Sequence, residues 1–437
     1  MSTGEAADDR NAAAVPSAAP NVVTRAAAER AWCLYDWANS AFATSVVAAI
    51  LPVYFATIAS RTMAPNEATA RWGFASAIAM LASGLLGPVV GAWADRSGRR
   101  KPLLFVLVLI GCLCTAALAT VHGAGWMTLL IGFGIAFLTF AIGNALYDSL
   151  LPAVAGPDDM HRVSARGFAW GYIGGGVLLA INLAWILMPK RFGLADADAA
   201  TRLSFASVAI WWFVFSIPLF RQVPEPPGAG GGPNPVVQTL RTLASLRRRP
   251  ELLTFLIAFW LYSDGIGTVI KMATVYGSEI GIGRTHLIGA LLMVQIVAAP
   301  ATILFGRIAR LLGPQRAVAL GLLGYIGITG LGFLMSKPIH FWLIAVLVAL
   351  FQGGTQALSR SMFASLVPRR QMAELFGFYS ISEKLAGVVG PLLFGLVAQW
   401  AGAGRYAVLT LVPFFAIGAW LLMRVDLAAG ARRAAEG

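Results

Sequence analysis

Runs of about 18 or more apolar residues, parted by short polar loops, recur along most of this 437-residue chain. A helix rising about 1.5 Å per residue needs about 20 such residues to cross a hydrocarbon core of roughly 30 Å. Twelve stretches qualify: 32–60, 72–94, 102–121, 126–151, 164–188, 202–220, 252–276, 286–309, 316–336, 341–366, 373–400 and 406–423. None shows the strict alternation of a membrane-spanning β-strand, so the pattern predicts helices. Between the sixth and seventh lie Pro224, Pro226 and Pro227, a Gly/Pro run over 228–235, and Arg247, Arg248 and Arg249. That composition reads as an exposed linker. The predicted layout is a disordered cytoplasmic N-terminus (1–30), a six-helix bundle (31–221), a cytoplasmic linker (222–250), a second six-helix bundle (251–424) and a cytoplasmic tail (425–437).

Composition agrees. With 58% hydrophobic and 12% charged residues and a mean hydropathy of +0.73, the chain has too little polar surface to cover a water-soluble globule. The net charge of +13 would suit nucleic acid, but no soluble basic domain carries it. With both termini cytoplasmic, roughly 22 Lys and Arg fall on the inner side against roughly 8 outside, which is a topology signal. The reading is a multi-pass protein of the cell (inner or plasma) membrane. No apolar h-region follows a basic start in the first 23 residues, so no removable signal peptide is expected and the first helix serves as the insertion signal. Cys33, Cys112 and Cys114 sit in or beside spans and suggest neither disulfide nor metal site. The four histidines (His122, His161, His286, His340) lie near span ends without a nucleophile at helical spacing, and no phosphate-binding loop of the Walker type occurs. The chain therefore reads as no enzyme, with no cofactor.

The loop after the second span concentrates Gly91, Asp95, Arg96, Gly98, Arg99, Arg100 and Lys101 within eleven residues. A positive-inside hairpin accounts for the cations but not for the acid and two glycines. Gly91 lets a neighbouring helix approach, Asp95 can accept from a helix N-terminus or an arginine, and Gly98 permits a tight reversal. This pattern resembles the loop between helices 2 and 3 of the major facilitator superfamily. Trp32, Tyr35, Asp36, Trp37, Asn39, Ser40 and Phe42, then Tyr147, Asp148 and Pro152, Gly167, Phe168, Gly171 and Tyr172, Tyr262 and Asp264, Gln352, Gln356 and Arg360, and Gly377 to Tyr379 resemble the vacuole-effluxer-like branch, also called the unknown major facilitator family. Its eukaryotic members are similar to the autophagy-related vacuolar amino-acid effluxer. The resemblance implies an all-α integral membrane protein of twelve helices in two pseudo-symmetric bundles. The halves echo each other, Ser149 to Pro152 with Gly167 and Phe168 recurring as Ser365 to Pro368 with Gly377 and Phe378.

Ionisable residues inside spans cost about 2.5–3.5 kcal/mol each at mid-bilayer, so they mark function by default. Asp36 with Asn39 and Ser40, Asn144 with Tyr147 and Asp148, Asp264 with Thr268 and Lys271, Gln352 with Gln356 and Arg360, and Tyr379 with Glu383 each form one helical stripe. They fall on helices 1, 4, 7, 10 and 11; the resemblance makes 1, 4, 7 and 10 the cavity-lining set. Asp264 lies roughly 20 Å along its helix, beyond rescue by snorkelling. Candidate substrate- or proton-binding residues are thus Asp36, Asn39, Asn144, Tyr147, Asp264, Lys271, Gln352, Gln356, Tyr379 and Glu383. Glu383 and Lys384 are neighbours about 100° apart, so at least one should face the cavity. Candidate gating residues are Gly91, Asp95, Arg96, Gly98, Arg99 and Arg100, with Asp148 and Arg360 as a bridge between halves.

Together these predict a secondary transporter that moves a small polar solute, with amino acids as one class, by alternating access and proton coupling, as a monomer in the bilayer. Two alternatives stay open. One is an exporter of amphiphilic compounds using Trp170, Phe259, Trp260 and Phe378; the other is a non-transporting membrane sensor or scaffold of the same fold.

Overall fold

The computed structural model describes residues 22–231, 233–279, 282, 284–385, 389–401 and 404–436. All its elements are helical. The first bundle comprises α1 (Arg25–Ala59), α2 (Pro65–Ser97), α3 (Arg100–Leu118), α4 (Trp126–Asp148), α5 (Met160–Leu187) and α6 (Ala197–Gln222). The second comprises α7 (Pro250–Glu279), α8 (Arg284–Leu312), α9 (Pro314–Phe333), α10 (Pro338–Leu366), α11a (Met372–Leu385), α11b (Val389–Ala401) and α12 (Gly404–Arg424). Among the described residues eleven helices are long and apolar enough to span alone. The expected span 373–400 is divided between α11a and the shorter α11b, with residues 386–388, including Gly387, outside the described residues.

Local chemistry sets the helix ends. α2 starts on Pro65, whose missing N–H is no loss at a first turn, and stops at Gly98 in the left-handed region (φ 62°). Asp196 caps α6 by accepting from the Ala199 N–H at 2.8 Å. Within α1 the turns widen to a π-helix over Phe42–Ile50, just before Pro52. Proline lacks the N–H for an ordinary turn and crowds the carbonyl four residues back, and the wider winding accommodates both.

Lipid-facing and packed surfaces separate cleanly. Phe74, Ile78, Leu81 and Leu85 form an exposed stripe on α2 at helical spacing. The opposite face of α2 packs on α11a, α5 packs on both α8 and α10, and α4 meets α11a, so these helices join the bundles. Small residues permit the approach: a Cβ on Gly377 would lie 2.5 Å from the Pro88 nitrogen of α2.

One expected boundary is corrected, and two segments expected only as linker and tail contain helices. Residues 22–30, placed in the disordered terminus, are helical; they are rich in alanine, and Glu29 is anchored by Arg162 and Arg166 of α5. Residues 1–21 lie outside the described residues. The linker contains an eleven-residue helix, Pro235–Ser245, and the tail a helix, Leu427–Glu436, packed through Gly430 on Leu366.

Candidate functional site

Two clusters close the space between the bundles at the end bearing the 91–101 loop. In the first, Asp95 is 1% exposed. Its Oδ1 accepts from Arg100 Nε at 2.8 Å and from the Ala373 N–H at 3.0 Å, and its Oδ2 from the Glu374 N–H at 2.9 Å. A carboxylate of one bundle thus caps the first turn of α11a in the other, where the orphan N–H groups and the positive helix end favour an anion. Arg100 completes the closure by donating to the Arg369 carbonyl at 3.1 Å. Gly91 is required: a Cβ there would collide with the Ala373 carbonyl, and its next neighbour, the Glu374 nitrogen, would be 2.7 Å away. Arg96 turns to the linker and donates to the Pro233 carbonyl at 3.1 Å, while Arg99 is exposed.

In the second cluster Arg360 of α10 is 3% exposed and has all five N–H groups placed. Nη1 donates to Asp148 at 2.9 Å and to Asp36 at 3.2 Å, Nη2 to Asp36 at 3.2 Å and the Ser164 carbonyl at 3.0 Å, and Nε to Ser164 Oγ at 2.9 Å. Its guanidinium lies over Phe168 (4.3 Å to the centroid) and Trp32 (4.6 Å). These faces attract a cation and exclude water. Gly167 makes room, since a Cβ there would sit 2.5 Å from Asp36 Oδ2. The expected Asp148–Arg360 pair is therefore present, with Asp36 as a second carboxylate.

Beyond this node lies a cavity of about 290 Å³ whose polar lining includes Asp148, Arg360, Lys271, Gln356, Tyr379 and Glu383, among the rings of Phe137, Phe140, Phe168 and Phe259. Phe259 stacks on Tyr379 at 4.1 Å. Six of the ten expected binding residues do not line it. Asp36 lies behind Arg360; Asn39 donates to Asn144 at 2.9 Å inside the first bundle; Tyr147 donates to the Trp32 carbonyl at 3.1 Å. Asp264 is wholly buried against α11b, accepting from the Gly390 N–H at 2.9 Å. Asn144 is thereby occupied as well, and a sixth residue, Gln352, borders a separate apolar space with Val269 and Val348. The physical reason is common to all: residue spacing fixes which side chains share a face, not which neighbour that face meets. The side chain of Lys384 lies outside the described residues.

Other participants carried little sequence signal. Ser164 ties α5 to α10 by donating to the Ala357 carbonyl at 2.7 Å while accepting from Arg360. Glu225, the acid amid the linker prolines, caps α3 by accepting from the Arg100 and Lys101 N–H groups at 2.8 and 3.0 Å.

Two six-helix bundles around a cavity lined by charged, polar and aromatic side chains, closed at one end by paired charges, are the architecture of a transporter of the major facilitator fold. The fold is that of the human organic anion transporter MFSD10, which the chain matches at 16% identity with a TM-score of 0.67 over 91% of this chain and 98% of that one. The chain belongs to the vacuole effluxer Atg22-like family, whose profile matches residues 66–435. It is 37% identical over 400 residues to the uncharacterized MFS-type transporter YxiO of Bacillus subtilis, covering 90% of this chain and 94% of that protein. It is 28% identical over 310 residues to autophagy-related protein 22-1 of Aspergillus fumigatus, covering 62% of this chain and about half (49%) of the fungal protein.

Proposed function

We propose that the chain moves a small polar solute, of which amino acids are the first class to test, across the cell membrane by proton-coupled alternating access. The observation that carries this reading is the cavity between the bundles, with carboxylates and cations on one lining and apolar rings between them. A zwitterion with an apolar side chain complements that surface. Asp148, Gln356, Lys271, Tyr379 and Glu383 are the binding candidates; Asp95 with Arg100, and Asp36 with Arg360 and Asp148, are the gates.

Charge counting supports the proton. Arg360 faces two carboxylates, Asp36 and Asp148, so one negative charge of the node is uncompensated by it. Burying such a charge is costly, and a proton on one carboxylate or a cationic group of the solute removes it. Asp148 also lines the cavity, and a proton there loosens the bond that holds Arg360 across the bundles. The surplus of Lys and Arg on the loop side supports a cytoplasmic placement of both termini.

Counterflow of radiolabelled amino acids into proteoliposomes tests the reading. Accumulation of at least one amino acid, abolished by Glu383→Gln or Asp148→Asn, is expected. No accumulation across the full set, by protein that remains folded, overturns the solute class.

A further inference from the structure

The linker helix Pro235–Ser245 is amphipathic in the opposite sense to a helix on a water-soluble protein. Its polar side chains turn to the protein: the Gln238 amide donates to the Glu374 carboxylate of α11a at 2.9 Å, and Thr242 is buried. Its aliphatic ones turn away, with Val236 51%, Val237 41%, Leu240 61% and Leu243 52% exposed. Positions 236, 240 and 243 share one face at helical spacing, and 237 adjoins it.

The helix is fixed in place. Asn234 caps it by accepting from the Val236 N–H at 2.9 Å, Arg96 holds the preceding Pro233 carbonyl, and the body packs on α2. Its contacts with Arg96 at the end of α2 and Glu374 at the start of α11a put it where membrane-spanning helices emerge. Trp93 of α2, 43% exposed just before that end, marks the level of lipid headgroups, where tryptophan is enriched. Exposed arginines stand on the helix itself (Arg241), in the turn that follows it (Arg247 and Arg248) and on the 91–101 loop (Arg99). An apolar strip accompanied by arginines matches an anionic bilayer surface, with acyl chains beneath and phosphates alongside.

We propose that this helix lies in the headgroup layer of an anionic membrane and that its docking there holds the loop-end gate closed. The coupling is structural. Gln238 grips Glu374, whose own N–H is one of the two that Asp95 caps, and Ala229 of the linker donates to the Asp95 carbonyl at 2.8 Å. Lifting the helix from the membrane therefore pulls on both partners of the latch. The proposal does not depend on the solute or on proton coupling.

Spin labels at Leu240 and at Arg241, in full-length protein with its cysteines replaced, test the docking in vesicles of phosphatidylethanolamine with phosphatidylglycerol. The label at 240 should show an oxygen-to-nickel-chelate accessibility ratio several-fold above that at 241; equal, water-like ratios overturn the docking. Electron-electron distance measurement across the gate tests the coupling. The closed-to-open ratio should rise at least about threefold when phosphatidylcholine is replaced by phosphatidylglycerol, and Leu240→Gln with Leu243→Gln should abolish that rise. A ratio indifferent to the lipid, or a rise that survives the double variant, overturns it. Both residues are exposed, so the variants leave the packed interior intact.

Discussion

Asp95→Asn isolates the electrostatics of the gate at nearly constant shape. Of the bonds Asp95 accepts, that from Arg100 stays within the first bundle, whereas those from the Ala373 and Glu374 N–H groups cross to the second. Only the crossing bonds bias opening. Each is a hydrogen bond to a charged acceptor, worth about 1.5–3 kcal/mol net. Asparagine keeps one acceptor oxygen but sets an N–H₂ group against the other backbone N–H, so one crossing bond is lost and the survivor becomes a neutral one. A loss of about 2–3 kcal/mol follows, and at about 1.4 kcal/mol per tenfold the closed-to-open ratio falls roughly 30- to 150-fold. Labels at Ser97 and Arg370, both exposed residues on opposite sides of the gate, would report this as a new, longer distance. A closed-to-open ratio within about threefold of the parent would refute the premise that the caps on α11a bias the gate.

Gly167→Ala should place a methyl group 2.5 Å from Asp36 Oδ2 and 2.7 Å from the Trp32 ring; the overpacking costs about 1–3 kcal/mol, seen as a lower melting temperature together with reduced counterflow. Arg360→Lys keeps the charge but supplies three donors in place of a five-donor fork, so counterflow should fall more than tenfold although the protein still folds, as size-exclusion profiles would show. Asp264→Asn should leave the KM of the transported solute unchanged while lowering stability by about 1–3 kcal/mol, because its carboxylate binds the Gly390 N–H and not the cavity. A raised KM with an unaltered melt would return Asp264 to the binding site.

How much of this was legible in the sequence follows from what helical spacing encodes. The spans, the linker position and the 91–101 loop come directly from apolar run lengths and from glycines at turns. The Asp148–Arg360 pair was readable because the repeat places both near equivalent helix ends with opposite signs. Burial was also readable: Asp264, in the middle of α7, is fully buried. What spacing cannot encode is the azimuth of a stripe relative to neighbouring helices. Asp36 and Asn39 share a face as read, but that face looks toward α4 and α5. The linker helix was missed because glycine and proline before it dominate the composition, although Val236, Leu240, Leu243 and Leu246 already carried its period.

The two halves repeat a backbone device and differ in the residue that would make it ionic. In the first half Gly91, Asp95 and Gly98 stand at intervals of four and three; in the second, Gly306, Arg310 and Gly313 stand at the same intervals. Both closing glycines adopt positive φ, 62° and 84°, and both leading glycines lie at a crossing between bundles, Gly91 on Ala373 and Gly306 on Ala165. At the middle position an acceptor is replaced by a donor. A guanidinium has no lone pair for a helix N-terminus and meets the same sign of partial charge there, and Arg310 is accordingly exposed. The α5–α8 crossing is thus made by small-residue packing, while the charged closure gathers at α2–α11a and at the Arg360 node. Equal backbone geometry with unequal charge concentrates the electrostatic resistance to opening where the linker helix and the 91–101 loop meet.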